Sequence, residues 1–301
     1  RCWSGLERRS AGPTREWRVA MTAMRDPLDA LRQPVVPVDP DPTFAAALRT
    51  RLEDLLTDTT TRTTAAPRSV RLRHGDVGYA SLWTPDVGRA ATFYATVLGW
   101  EYESHRGPQG RQVQGVSPTL GMWGGQERGT TFLCFAVRDM AVAREQIVAA
   151  GGEAQDPTAE PYGLTAMAVD DQGMPFAIVE QPSTEGEPPP APRHGELAYL
   201  TLEVPDSGRT RAFFGTVLGW RFTPGRVEDG WGVEDVWPMT GLQGGHEHPT
   251  VVPMYAVDDL EAAVVRVRAA GGTSSDPEQM PYGITADCAD DQGTRFYLGQ
   301  L

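Results

Sequence analysis

The 301-residue chain predicts an α+β protein built from two tandem modules behind an N-terminal extension. Three observations carry that prediction. The sequence repeats itself at one fixed offset, strand-like and helix-like patterns alternate twice within each copy, and a segment rich in Pro and Glu separates the copies. "TVLGW" at Thr96–Trp100 returns at Thr216–Trp220, and Pro85-Asp86 returns as Pro205-Asp206. "RHG" at 73, "PYG" at 161 and "DDQG" at 170 also return, all displaced by 120 residues without an insertion. Solenoid and propeller units repeat every 20 to 50 residues or so, and a longer period marks a duplicated domain. The modules are therefore placed at 74–182 and 194–301, with residues 183–193 as a stiff, solvated linker.

The extension, residues 1–73, comes first. Its opening twenty residues are Arg-rich but lack the apolar stretch of a secretory signal, and Met21 and Met24 are candidate start sites. "PVVPVDPDP" is too proline-rich for a helix interior. The following "TFAAALRTRLEDLL" puts Phe44, Leu48, Leu52 and Leu55 on one stripe behind Thr43, which predicts an amphipathic helix over about 43–56. Such a helix either docks on a module or recruits a partner.

In the first module, "DVGYASLWTPD" alternates between turn residues and reads as a strand. In "DVGRAATFYATVLGW", Ala90, Phe93, Tyr94, Val97 and Leu98 recur at helical spacing, and Gly99 stands where a C-cap belongs. Short strands follow near 101–105, 112–117 and 119–123. The order then restarts with a strand in "TTFLCFAVRD", a helix in "MAVAREQIVAAGG", and strands in "TAMAVDD" and "PFAIVEQ". Each module thus reads as a βαβββ unit used twice. "TVLGW" itself is the last helical turn, its glycine stop and an aromatic opening the next strand, which is a structural assignment.

Composition narrows the function. The net charge of −13 disfavours nucleic acid and anionic membranes as partners. No apolar run is long enough to span a bilayer. Three cysteines, Cys2, Cys134 and Cys288, without paired spacing argue against a disulfide framework and for a reducing, cytoplasmic setting.

The strand ending in "PD", the helix "FYATVLGW", the "AAGG" stop and the "DDQG" turn resemble the vicinal oxygen chelate superfamily, which includes glyoxalases, bleomycin-resistance proteins and extradiol dioxygenases. The resemblance covers nearly all of 74–301 and is closest to actinobacterial tandem, two-module members. It implies two glyoxalase-like modules, each a cupped mixed sheet of paired βαβββ units with a ligand cavity inside. It does not imply one reaction, because the superfamily holds metal-dependent enzymes and metal-free binders alike.

The catalytic members resembled here hold a divalent metal on the first strand of each unit and on the last strand. Counting from the helix-opening aspartates and the turn glycines gives Tyr79, Phe132 and Ala177 in module one, and Tyr199, Val252 and Tyr297 in module two. The end of the first unit adds Met122 and Leu242 or their neighbours. None offers the imidazole or carboxylate that such an ion takes, and a slip of one residue supplies none either. The expectation is no bound metal and no other cofactor. His246 and His248 in "GGHEHPT" read as part of a solvated loop.

Strand alternation selects the lining of the cups. In module one it turns Tyr79, Ser81, Trp83, Phe132 and Cys134 inward, with Trp123 at the rim. In module two it turns Tyr199, Thr201, Glu203, Met254, Arg295 and Tyr297 inward. Buried charge must be paired, so Glu203 and Arg295 are expected to meet each other or a ligand. Three functions follow as expectations. The first is metal-independent binding of a small apolar or aromatic molecule. The second is a cofactor-independent enzyme using Glu203 as base with Arg295 and Tyr297. The third is an interaction protein with vestigial cups. Sequence leaves open whether the modules pair within one chain or across a homodimer.

Overall fold

The computed structural model describes residues 72–103, 107–180 and 191–301. The expected helix over 43–56 and the linker over 183–190 lie outside these residues. The first module runs β1 (Val77–Trp83), α1 (Val87–Leu98), β2 (Tyr102–Glu103), β3 (Gly110–Val113), β4 (Thr119–Trp123), β5 (Thr130–Val137), α2 (Met140–Ala149), β6 (Glu153–Ala154), β7 (Thr158–Glu160), β8 (Gly163–Val169) and β9 (Pro175–Glu180). The second repeats the order as β10 (Leu197–Glu203), α3 (Ser207–Leu218), β11 (Phe222–Pro224), β12 (Gly230–Val233), β13 (Met239–Gln243), β14 (Thr250–Ala256), α4 (Leu260–Ala269), β15 (Thr273–Ser274), β16 (Glu278–Met280), β17 (Gly283–Ala289) and β18 (Arg295–Gln300). β3 ends before the predicted 117, and the chain then turns through Gly115 at φ 69°. The second unit of each module gains short pieces, β6 with β7 and β15 with β16, that fold back on β8 and β17.

Local chemistry explains the helix bounds. Asp86 caps α1 by accepting from Gly88 N at 2.8 Å and Arg89 N at 3.0 Å, and Gly99 ends it in the left-handed region at φ 70°. Asp206 and Gly219 do the same for α3.

Each module forms one nine-stranded mixed sheet, ordered β2-β3-β4-β1-β5-β9-β8-β6 with β7 on β8, or the same order for β10 to β18. The two βαβββ units meet where β1 pairs antiparallel with β5, and where β10 pairs antiparallel with β14. β4 and β9 run parallel to β1 and β5, because a helix or a longer connection carries the chain back before each pairing.

The modules interlock through their first helices within one chain. Phe93 and Tyr94 of α1 pack against Phe296 of module two, and Tyr94 and Trp100 pack against Tyr255. Reciprocally, Phe213 and Phe214 of α3 pack on Phe176, and Phe214 and Trp220 pack on Phe135. The indole of Trp100 donates to Gly195 O at 2.9 Å and that of Trp220 to Gly75 O at 3.0 Å. The repeated "TVLGW" is thus the joint between modules: its tryptophan reaches a carbonyl in the other copy. "DDQG" is the second joint. Gln292 bonds Asp86 N and O and Thr84 Oγ1, while Gln172 bonds Asp206 N and O and Thr210 Oγ1. Arg89–Asp291 and Arg209–Asp171 add one ion pair on each side, both at 2.8 Å. One apolar core runs through both modules. Among the described residues no helix is long and apolar enough to cross a membrane.

Candidate functional site

Each sheet carries a second, smaller apolar cluster on the face turned away from that core. In module one it consists of Phe132, Cys134, Ala177 and Val179, with Tyr79, Trp83 and Met167 packed against them. In module two it consists of Ala198, Met254 and Ala256, with Tyr199 and Tyr297. These faces are cup one and cup two. Their geometry follows from register. Tyr79 lies opposite Cys134, Ser81 opposite Phe132, and Cys134 beside Ala177. Tyr199 lies opposite Met254, Thr201 opposite Val252, and Met254 beside Tyr297. A register irregularity between Leu197 and Tyr199 turns Ala198 to the cup as well, against simple alternation.

The expected inner positions Met122 and Leu242 need correction. Both side chains lie in the main core, 2% and 3% exposed. β4 pairs in parallel with β1 so that Gly121 stands beside Ser81, and Gly241 stands beside Thr201 on β13. Paired residues share a sheet face, so glycines occupy the cup side there. A side chain at Gly121 would collide with the Tyr79 hydroxyl, and one at Gly241 with that of Tyr199. The two phenols lie across these glycines.

Cup one is aromatic. Trp83 and Phe132 stack with centroids 4.7 Å apart and planes 4° from parallel. Ser81 is buried beside them, and Trp123, next to Trp83 in register, is 37% exposed at the rim. Burial pushes the Cys134 thiol up to about 12, which keeps it protonated and unfit as a nucleophile near neutral pH.

Cup two is polar at the same end. The Glu203 carboxylate, only 6% exposed, accepts from Arg295 Nη1 at 2.7 Å and Nη2 at 2.9 Å, a bidentate pair. The hydrogen bond to Glu203 raises the guanidinium above its ordinary value. Arg295 Nη2 also lies 3.5 Å from the Tyr297 hydroxyl, whose own pKa burial raises, so it stays a donor. The expected pair therefore forms across the cup, with its acid covered and its base half in water. Sequence reasoning missed His246. Its Nδ1 lies 3.5 Å from Glu203 Oε2, whereas His248 meets Glu247 at 3.6 Å. The Gly244-Gly245 break interrupts strand alternation, so no periodic signal tied the loop to the cup.

Cups of paired βαβββ units in tandem define a protein of the vicinal oxygen chelate fold. A family model described as a glyoxalase-like domain matches twice, at residues 80–179 and 199–298, and the chain belongs to that family. Among its relatives is the anthracycline biosynthesis protein DauV of Streptomyces sp. (strain C5), 26% identical over 266 residues that cover 77% of this chain and 95% of the relative. Among solved structures, the Mn(II)-bound glyoxalase from Novosphingobium aromaticivorans superposes with a TM-score of 0.61 at 17% identity, covering 76% of this chain and 82% of that one. The 2,3-dioxygenase LapB from Pseudomonas sp. KL28 gives 0.58 at 14% identity, over 76% and 93% of the two chains. At such identities the likeness speaks for fold alone.

A metal is the group this fold implies. Its fit depends on the side chains at the positions where the fold would hold it. There cup one has Tyr79, Phe132, Ala177 and Gly121, and cup two has Tyr199, Val252, Tyr297 and Gly241; Cys134 in cup one and Glu203 with His246 in cup two stand at other positions. Phenol, phenyl, alkyl and hydrogen do not form the nitrogen, carboxylate or thiolate set that a divalent ion takes. Among the described residues no three His, Cys, Asp or Glu side chains gather into a metal-sized group.

Proposed function

We propose that the protein binds a small, flat aromatic molecule in cup one without a metal ion. The observation that carries this is the parallel Trp83–Phe132 stack set among Tyr79, Cys134, Ala177 and Val179. Rigid rings on an apolar floor, with a few hydroxyls for orientation, suit an aromatic ligand. The relative named for anthracycline biosynthesis is in keeping with such a ligand. The metal-free part of the reading is supported by the donor-poor side chains at the positions where the fold would hold an ion.

The test is a titration of the full chain with 1-naphthol, followed by tryptophan fluorescence, with metal content measured in parallel. Saturable quenching that survives EDTA and weakens in Trp83→Ala supports the proposal. Stoichiometric tightly held metal whose removal abolishes binding overturns it, as does quenching that Trp83→Ala leaves unchanged.

A second reading belongs to cup two, on the strength of its nearly buried, bidentate Glu203–Arg295 pair. A covered acid beside a partly hydrated guanidinium and a phenol is the equipment of proton transfer with oxyanion stabilisation. In this reading the cups divide the labour, one holding aromatic surface and the other handling protons.

A further inference from the structure

Three features of cup two bear on which group would move the proton. Both Glu203 oxygens are taken by Arg295, at 2.7 and 2.9 Å. A carboxylate whose two oxygens are both occupied by guanidinium donors is poorly placed to reach a substrate proton. The imidazole beside it has no such constraint: Nδ1 faces Glu203 Oε2 at 3.5 Å, and the side chain is 30% exposed. A carboxylate facing Nδ1 favours the tautomer with its hydrogen on that side and leaves the Nε2 lone pair for a substrate, the logic of an oriented imidazole base. Finally, module one changes the three positions together. Glu203, His246 and Arg295 correspond to Trp83, Gln126 and Pro175 at the offset of 120 residues. Where the acid is absent, the imidazole is absent too.

We infer that His246 is the proton-transferring residue of cup two, that Glu203 positions it, and that Arg295 with Tyr297 receives the oxyanion of a carbonyl-bearing aromatic substrate with an acidic C–H next to the carbonyl. This rests on the second reading of cup two as a site. In the step, Nε2 takes the proton from carbon. The C–H electron pair becomes the C=C bond of an enolate, and the former carbonyl oxygen carries the negative charge. That charge is met by the exposed guanidinium and by the Tyr297 hydroxyl. The imidazolium then returns a proton to carbon, so the step needs no oxidant, reductant or second substrate. The charged groups around this imidazole are Glu203 on β10 and Arg295 on β18, with Glu247 and His248 beside it paired to each other at 3.6 Å.

The experiment is proton–deuterium exchange of 2-tetralone in D2O, read by NMR on the full chain, with binding read separately by saturation transfer. The wild type is expected to speed loss of the acidic C–H signal at least 100-fold over buffer. His246→Gln, the residue module one carries at that place, is expected to return the rate to near buffer while binding persists. Glu203→Gln is expected to keep part of the rate, roughly a tenth, with binding by saturation transfer unchanged, because the imidazole remains and loses only the acid that orients it. Full exchange in His246→Gln with none in Glu203→Gln overturns the inference in favour of the carboxylate. Binding without exchange in the wild type overturns the inference and leaves cup two a binding site. No binding of 2-tetralone to the wild type removes the second reading along with the inference.

Discussion

The two cups share a backbone and differ in what it displays. In cup one the end of the first strand carries Trp83, stacked on Phe132, and the last strand opens with Pro175. In cup two those places hold Glu203, Val252 and Arg295, and the loop beyond adds His246. The changes are coupled by physics. A covered carboxylate at 203 requires a counter-charge, which a proline at 295 could not supply, and a Trp–Phe stack requires neither. Smaller Val252 replaces the ring against which an indole would stack. Duplication has kept the register and let the side chains move as sets, so function resides in the display and the shared sheet says little about it.

The largest expected effect comes from breaking the charged set. Arg295→Met leaves the Glu203 carboxylate covered without its guanidinium, and a loss of about 2 kcal/mol is expected in urea unfolding, discounted because the guanidinium is half in water. Pro175→Met in cup one, which strands no charge, is expected to cost far less. Next is the aromatic set. Trp83→Ala removes one ring of the stack and is expected to weaken 1-naphthol binding about tenfold, on the order of 1.4 kcal/mol. Thr201→Ala in cup two should leave that titration unchanged.

A smaller effect tests the symmetry that holds the cups together. Trp100→Phe and Trp220→Phe each delete one indole bond between modules, to Gly195 O or Gly75 O. Each is expected to cost about 1 kcal/mol in thermal or urea unfolding, because the carbonyl left behind is buried. Near-equal values would show that the two joints are energetically as well as geometrically alike.

The smallest effect concerns a place where the joints are unlike. Tyr94 donates toward Asp290 Oδ2 at 3.5 Å, whereas Phe214 stands at the corresponding place and Asp170 Oδ2 has no hydrogen-bond partner. Burial raises the pKa of both aspartates. A carboxyl whose folded pKa lies above its unfolded value favours the folded state below the unfolded pKa, and that contribution is lost as pH rises through the folded value. Phe214→Tyr gives Asp170 the hydroxyl its counterpart has. It is expected to add about 0.5 kcal/mol near neutral pH and to flatten the decline in stability as pH rises from about 4, measured by urea unfolding at several pH values.

Much of this was legible in the chain. Asp86, Gly99 and their repeats announced the helix ends, because capping is chemistry between close neighbours. Alternation along β1, β5, β9 and their copies placed Tyr79, Trp83, Phe132 and Cys134 on one face of cup one, and Tyr199, Met254 and Tyr297 on one face of cup two, which the apolar clusters reproduce. Alternation failed where the backbone departs from a plain strand. The irregularity near Ala198 turned an extra residue inward, the parallel register of β4 put Gly121 rather than Met122 on the cup face, and Gly244-Gly245 hid the approach of His246 to Glu203.

By itself the sequence determined the duplication, the kind and order of the elements, and the face to which most strand residues belong, since these follow from local periodicity and from contacts a few residues apart. Only the tertiary structure decided what those faces meet. Trp100 finds its acceptor 95 residues away in the other module, and Arg295 finds its acid 92 residues away across a cup. Such pairings depend on the path of the whole chain, and no local pattern encodes the carbonyl or carboxylate waiting at the other end.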